Sequence, residues 1–251
     1  VHPFEDTDLE QLESPPVFGT VMLPEGVPGN GPVEVSVEVT PSPGRTITSV
    51  ELDYEFLSNG NTGTVPMTDD GSGVYEGSIP TAPDGSFVVF TITATDSNGS
   101  SSTTGEESYR VLYDGITAIA HIQQTADGQP GPSPFAGLTT STDIDLDAVV
   151  MSDFVGVYST GEGEVRILTL QDDAGLGEWS GIHTVVPNGA SVAVGDRVTI
   201  TAATIEENFG VTRLTDLTFS VTSSGDPYDA KVVPTGVLNG DDPGIQEAHE
   251  G

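Results

Sequence analysis

Trp179 to Leu217 reads WSGIHTVVPNGASVAVGDRVTITAATIEENFGVTRLTDL, and its turns decide the fold. Trp179 to Val185 is a short run that ends at Pro187-Asn188-Gly189, residues that favour a turn. Val194-Gly195-Asp196 then reverses the chain into Arg197 to Ile205. There Val198, Ile200, Ala202 and Thr204 alternate with Thr199, Thr201, Ala203 and Ile205. Asn208-Phe209-Gly210 turns the chain again, into Val211 to Val221. Alternation with a period of two, bounded by Gly, Asn and Asp, predicts half-buried antiparallel strands.

Upstream, Thr140 to Met151 and Glu164 to Asp172 add two more such runs, enough for a five-stranded closed barrel. Ile116 to Gln123 is apolar and reads as a lead-in strand or a short helix; the chain holds no strong helix. Before it, Val17 to Tyr113 yields seven strands: Val17–Leu23, Val33–Val39, Ile47–Leu57, Thr64–Met67, Val74–Ile79, Ser86–Thr95 and Glu106–Leu112. Val33, Val35, Val37 and Val39 alternate with Glu34, Ser36 and Glu38, while Val50, Leu52, Tyr54 and Phe56 alternate with Glu51, Asp53 and Glu55. Apolar groups on one face and carboxylates on the other describe a two-sheet sandwich with a solvated exterior. Turn signals recur at Pro41 to Gly44, Asp69 to Gly71, Pro83 to Gly85 and Asp96 to Gly99. The expected class is therefore all-β, an immunoglobulin-like sandwich followed by a barrel.

Two resemblances attach to these residues. WSGIHT, the VGDRVTITA run and ENFGVTRLTDL, with SPFAG at Ser133 to Gly137, resemble the small OB-fold module of large secreted bacterial nucleases and related surface proteins. MTDDGSGVYEGSIPTAPDGSFVVFTITATDSNGS, Met67 to Ser100, resembles bacterial extracellular immunoglobulin-like or fibronectin-III-like domains. The implied organisation is an acidic tail over 1–16, a sandwich over 17–113, an OB-fold domain over 114–238 and a linker or further module over 239–251. Glu247 to Gly251 resembles the start of another module of the nuclease-type proteins, which implies that the natural chain continues.

The 251 residues carry 39 acids against six bases, for a net charge of −33. Residues 1–113 hold 18 acids and two bases, and residues 114–251 hold 21 and four, so neither half offers a basic face for a phosphate backbone. Such charge opposes compaction at low salt, and at about 1 M salt the screening length of roughly 3 Å removes most of the repulsion. With a single lysine, Lys231, the composition resembles that of proteins from salt-loving organisms; a merely acidic secreted protein is the alternative. Cysteine is absent, which excludes disulfides, a thiol nucleophile and thiolate zinc sites. No apolar run approaches the roughly 20 residues of a membrane span. The chain opens on Val1 without a leader, as expected of a processed product or an excised fragment.

Candidate metal ligands are Asp143, Asp145 and Asp147, whose alternation matches the oxygen-rich ligand pattern of calcium, together with Asp69, Asp70 and Asp96 in turns. The competing readings are a solvated strand face for the first three and backbone-turn chemistry for the others. The OB-fold relatives carry Thr and Val where Asp143 to Asp147 stand, so this triplet departs from their pattern. The four histidines are scattered, without the spacing of a zinc helix, and no nucleophile elbow or phosphate loop occurs. OB folds grip single strands by stacking bases on aromatics, so Phe154, Tyr158, Trp179 and Phe209 are the candidate stacking residues. Each could equally plug or cover the barrel, and Arg166, Arg197 and Arg213 are the only cations near them.

The expectation is a non-catalytic accessory fragment of a secreted or surface protein, with the other domains of its parent as partners. By resemblance the parent is an extracellular nuclease or phosphoesterase. The alternatives are a binding module for single-stranded nucleic acid or polysaccharide, and an adhesin-like segment stiffened by calcium.

Overall fold

The computed structural model describes residues 14–129, 131–157, 164–173, 175 and 177–229. It is 54% strand and 2% helix, which makes the protein all-β. The chain divides into two compact units, one of residues 14–25 with 30–109 and one of residues 26–29 with 110–229. No helix among the described residues is long and apolar enough to cross a membrane.

The first unit is a pair of sheets built from nine strands: β1 (Val17–Met22), β2 (Val33–Thr40), β3 (Ile47–Phe56), β4 (Asn61–Pro66), β5 (Thr68–Asp69), β6 (Val74–Ile79), β7 (Phe87–Asp96), β8 (Ser101–Thr103) and β9 (Glu107–Arg110). One sheet runs β1-β2-β6-β5; the other runs β4-β3-β7-β8, with β9 also on β7. Alternation does what the pleat requires. Val33, Val35, Val37 and Val39 are buried, while Glu34 and Glu38 are exposed. Leu52, Ile79, Phe90 and Ile92 are fully buried between the sheets. The two sheets approach closely at Gly77 on β6, where an added Cβ would lie 3.0 Å from Met67 Cγ and 3.4 Å from Val65 Cγ1. Apolar area removed from water at about 25 cal/mol per Å² holds such a pair of faces together.

The second unit contains α1 (Ile119–Gln123), β10 (Thr139–Thr140), β11 (Leu146–Val157), β12 (Glu164–Asp172), β13 (Gly181–Pro187), β14 (Asp196–Asn208) and β15 (Val211–Ser224). The pairings close a circuit, β11-β12-β13-β15-β14 and back to β11, with β10 attached to β14. Every pairing is antiparallel except β13 with β15. Closure leaves one interior, filled by Leu146, Leu168, Leu170, Ile182, Ile200 and Leu214 among others, with Ile119 and Ile122 of α1 packed into the same core. A parallel bridge from Ile116 to Ile144 brings the entering chain onto the barrel. Gly115 makes that approach feasible: its φ is 72°, and an added Cβ would lie 2.7 Å from the Asp143 carbonyl oxygen.

Several boundaries differ from the sequence reading. The run Thr140 to Met151 is not one strand, because the Thr140 hydroxyl accepts the amides of Thr142 and Asp143 and bends the chain there. Strand β11 starts at Leu146 and continues to Val157. Asp143 therefore sits in the bend, while Asp145 and Asp147 are exposed beside buried Ile144, Leu146 and Ala148. Trp179 is not in a strand either; it occupies a turn with φ 60°, and β13 begins at Gly181. Ile116 to Gln123 resolves into a bridge and a short helix. Residues 1–13, Tyr158, the expected exit over 230–238 and the segment 239–251 fall outside the described residues.

Candidate functional site

The β12–β13 face of the barrel carries two cross-strand rows. Leu168, Leu170, Ile182 and Val186 point into the core, so the residues between them face outward. One row is Ser152, Thr169 and His183, in register across β11, β12 and β13. Ser152 Oγ donates to Thr169 Oγ1 at 2.8 Å, and Thr169 Oγ1 lies 3.5 Å from His183 Nδ1. The adjacent row is Phe154, Ile167 and Val185. Phe154 is 49% exposed and Ile167 and Val185 are half-buried, so this row is an apolar strip, open at Phe154, beside a hydroxyl and imidazole strip. Hydroxyls and an imidazole can donate to or accept from a neutral polar ligand, and an aromatic edge can stack on a flat one.

At one end of the barrel stand the other aromatic candidates. Phe209 is the first residue of the two-residue turn between Asn208 and Val211, with its ring fully exposed. Trp179 is half-buried in a turn tied by Ser180, whose hydroxyl accepts the Gly177 amide and donates to the Gly177 carbonyl. Helix α1 lies against this end. Asp172 Oδ1 accepts the Ile119 amide at 2.7 Å, and Gln123 Nε2 donates to the Gly181 carbonyl at 2.9 Å. Burial raises the Asp172 carboxyl to about 6, although the amides of Ile119 and Ala120 pull it back down.

The five arginines are all engaged by the protein itself. Arg45 reaches Asp96 at 3.0 Å and Ser100, and Arg110 donates to the carbonyls of Ala120 and His121. Arg166 bonds Asp153 and the carbonyls of Ala190 and Val192, closing the far end of the barrel over the β13–β14 loop. Arg197 pairs with Asp173, and Arg213 pairs with Glu206. The guanidinium groups near the aromatic strip thus serve as ties between strands and loops.

The acidic candidates are likewise used locally. Asp69 Oδ1 accepts the amides of Gly71 and Gly73; Asp70 Oδ1 accepts those of Ser72, amide and hydroxyl. The Ser72 amide and hydroxyl hold the Asp70 carboxyl below its usual range. Asp96 accepts the amides of Asn98 and Ser100 beside Arg45. Its burial alone would raise the carboxyl, but Arg45 and those two amides lower it on balance. Asp143 accepts from the Thr140 hydroxyl, and Asp147 from Thr199. Among the described residues, no three His, Asp or Glu side chains gather as a metal site would.

Two features escape sequence reasoning. A shallow recess of about 340 Å³ lies on the β4-β3-β7 sheet, lined by Asp53, Glu55, Thr62, Thr64, Thr91 and Glu106. Its pairs, such as Thr64 donating to Asp53 at 2.5 Å, become visible only once the register is known. The Ser152–Thr169–His183 row is hidden for the same reason.

No family model matches the chain, and no curated protein does. Among solved structures it is similar to a DUF4466 family protein from Parabacteroides merdae, at 9% identity and a TM-score of 0.28, covering 80% of this chain and 97% of that one. A likeness that distant carries nothing about function.

Proposed function

We propose that this chain is a pair of non-catalytic β modules, an immunoglobulin-like sandwich and an OB-fold barrel, that space and present substrate within a larger secreted or surface protein. The OB-fold reading is supported by the circuit of five strands in which the third and fifth, β13 and β15, run parallel. The accessory reading is supported chiefly by the five arginines, each turned onto the protein's own oxygens. Phosphoryl chemistry needs cations or metal ions aimed at the developing charge. An extracellular nuclease or phosphoesterase parent follows from the sequence resemblance alone, and the salt-adapted setting from the charge of −33.

The second reading is a binding module for single-stranded nucleic acid or polysaccharide. The exposed Phe154, in register with half-buried Ile167 and Val185, and the Phe209 ring favour it, since strands two and three of such barrels and the adjoining loops form their ligand face. Stacking would have to supply its affinity, at about 1–3 kcal/mol per base.

One set of measurements separates the readings. Labelled single- and double-stranded oligonucleotides and a neutral polysaccharide are titrated at low salt and at about 2 M salt, with cleavage assayed in magnesium and calcium. The accessory reading expects neither tight binding nor cleavage. Micromolar single-strand or glycan binding that persists at high salt and is lost in Phe154→Ala or Phe209→Ala replaces it with the binding module. Metal-dependent cleavage by the chain alone defeats both.

A further inference from the structure

Sheet edges present unpaired amides and carbonyls, and proteins usually blunt them with charge, proline, bulges or brevity. Most edges here are blunted. Strand β1 lies between Pro16 and Pro24 and has a register shift between Phe18 and Val21; β4 ends on Pro66; β5, β8 and β10 are two or three residues long. The distal half of β15 differs. It pairs with β13 only at Arg213 and Leu214, and beyond these residues its pairings among the described residues are all with β14. Leu217 to Val221 contains no charge, proline or glycine. Asp216, with φ 52°, bounds the stretch on one side. On the other is Thr222, which falls in a register shift and donates its hydroxyl to the Arg197 carbonyl. Leu217 and Phe219 pack on the barrel core, whereas Val221, next in the same row, is 40% exposed. Thr218 and Ser220 face solvent.

We infer that this edge takes up an extended basic peptide by strand addition, with apolar side chains alternating with lysine or arginine. Main-chain bonds to the side of Leu217–Val221 that is unpaired among the described residues would hold the strand. Its apolar residues would extend the Leu217–Phe219–Val221 row, and its opposite face would stay in water. Charge selects the partner. The protein carries −33, and its arginines are committed internally, so a cationic strand is attracted. A second copy would instead bring another −33 to the same edge.

The test uses the full chain and a labelled, end-blocked peptide of about eight residues that alternates lysine and valine, at about 0.15 M salt. Saturable binding is expected, with new hydrogen-exchange protection at Leu217–Val221. Val221→Lys should weaken it by about tenfold or more, because a lysine is placed on the edge itself. Glu34→Lys, a larger charge change on an exposed position of the other unit, should weaken it by less than about twofold. The proposal is overturned by absent binding, by equal weakening in both variants, or by equal binding of a peptide with proline at alternate positions. A dimer of the chain alone at about 2 M salt, abolished by Val221→Lys, would make a second copy the occupant and overturn it too.

Discussion

Trp179 and Phe209 each stand four residues ahead of a matched pair, His183 and Arg213, on the parallel strands β13 and β15. Both have left-handed backbones, with φ of 60° and 53°. The register thus brings two aromatic residues in an unfavourable conformation to the same end of the barrel. A left-handed backbone is unfavourable for a residue other than glycine, so neither aromatic is the choice that turn geometry alone would make.

For Phe209 the alternative is easily named. Phe209 and Gly210, at φ 53° and 81°, form a two-residue turn closed by the Asn208–Val211 pair, and Asn-Gly is the preferred sequence for that geometry. A left-handed conformation costs an ordinary side chain about 1–2 kcal/mol, and asparagine escapes part of it. The exposed ring loses no packing on replacement. Phe209→Asn should therefore stabilise the second unit by about 1 kcal/mol, read as a higher urea midpoint. An unchanged or lower midpoint would mean that the ring has a structural role.

Gly115 makes the opposite case. Its φ of 72° and the 2.7 Å approach to the Asp143 carbonyl leave no room for a methyl group. Two bonds depend on that approach, Ile116 N–H to Asp143 O at 2.7 Å and Asp145 N–H to Ile116 O at 3.0 Å. Gly115→Ala should cost about 2 kcal/mol or more, measured by denaturant unfolding. A loss below about 0.5 kcal/mol would show that the Ile116 bridge can shift without penalty.

What could be read from the chain follows physical range. The alternation of Val33 to Val39 against Glu34 and Glu38 is a local consequence of the pleat, so the strand and its buried face were legible. The bend at Ser141 to Asp143 was not, because it depends on the Thr140 hydroxyl outcompeting the ladder for two amides. Nor was the turn at Trp179, a residue that favours strands on propensity. The stacking candidates were visible as residue types, but the row joining Phe154 to Ile167 and Val185 exists only through register. The engagement of every arginine was equally hidden, since Arg166 finds its carbonyl partners at Ala190 and Val192, more than 20 positions away.

Salt should raise stability. The molecule carries −33, with 39 acids against six bases, so the carboxylate repulsion that added salt screens outweighs the few arginine ion pairs that it also weakens. The melting temperature should rise substantially between about 0.1 M and about 2 M sodium chloride. Sodium sulfate serves as the control, because it strengthens burial by surface exclusion. A rise in sulfate alone would assign the effect to exclusion, and a flat response to both salts would end the salt-adaptation reading.

Asp172 should make stability depend on pH in an unusual direction. Asp172 is 8% exposed, and burial lifts its carboxyl from 3.8 to about 6 against the pull of the Ile119 and Ala120 amides. An acid with a raised pKa binds its proton more tightly when folded. Its contribution is therefore most favourable below about pH 4 and is lost as pH rises through about 6. The difference between the two pKa values corresponds to about 3 kcal/mol. The paired carboxyls behave oppositely: the Arg166 hydrogen bond lowers Asp153, so its stabilisation is present above the ordinary carboxylate range and lost below it. That leaves roughly pH 4 to 6 as the window in which Asp172 dominates. Lowering the pH from about 7 to about 4.5 should stabilise the protein, but easing of the general acidic repulsion would do the same. Asp172→Asn separates the two causes: it keeps an acceptor for the Ile119 amide and removes the titration, while the other acids remain. The stability of the variant minus that of the parent should therefore fall as the pH is lowered from about 7 to about 4.5, followed by urea unfolding at each pH. Parallel curves would show that Asp172 does not titrate in that range.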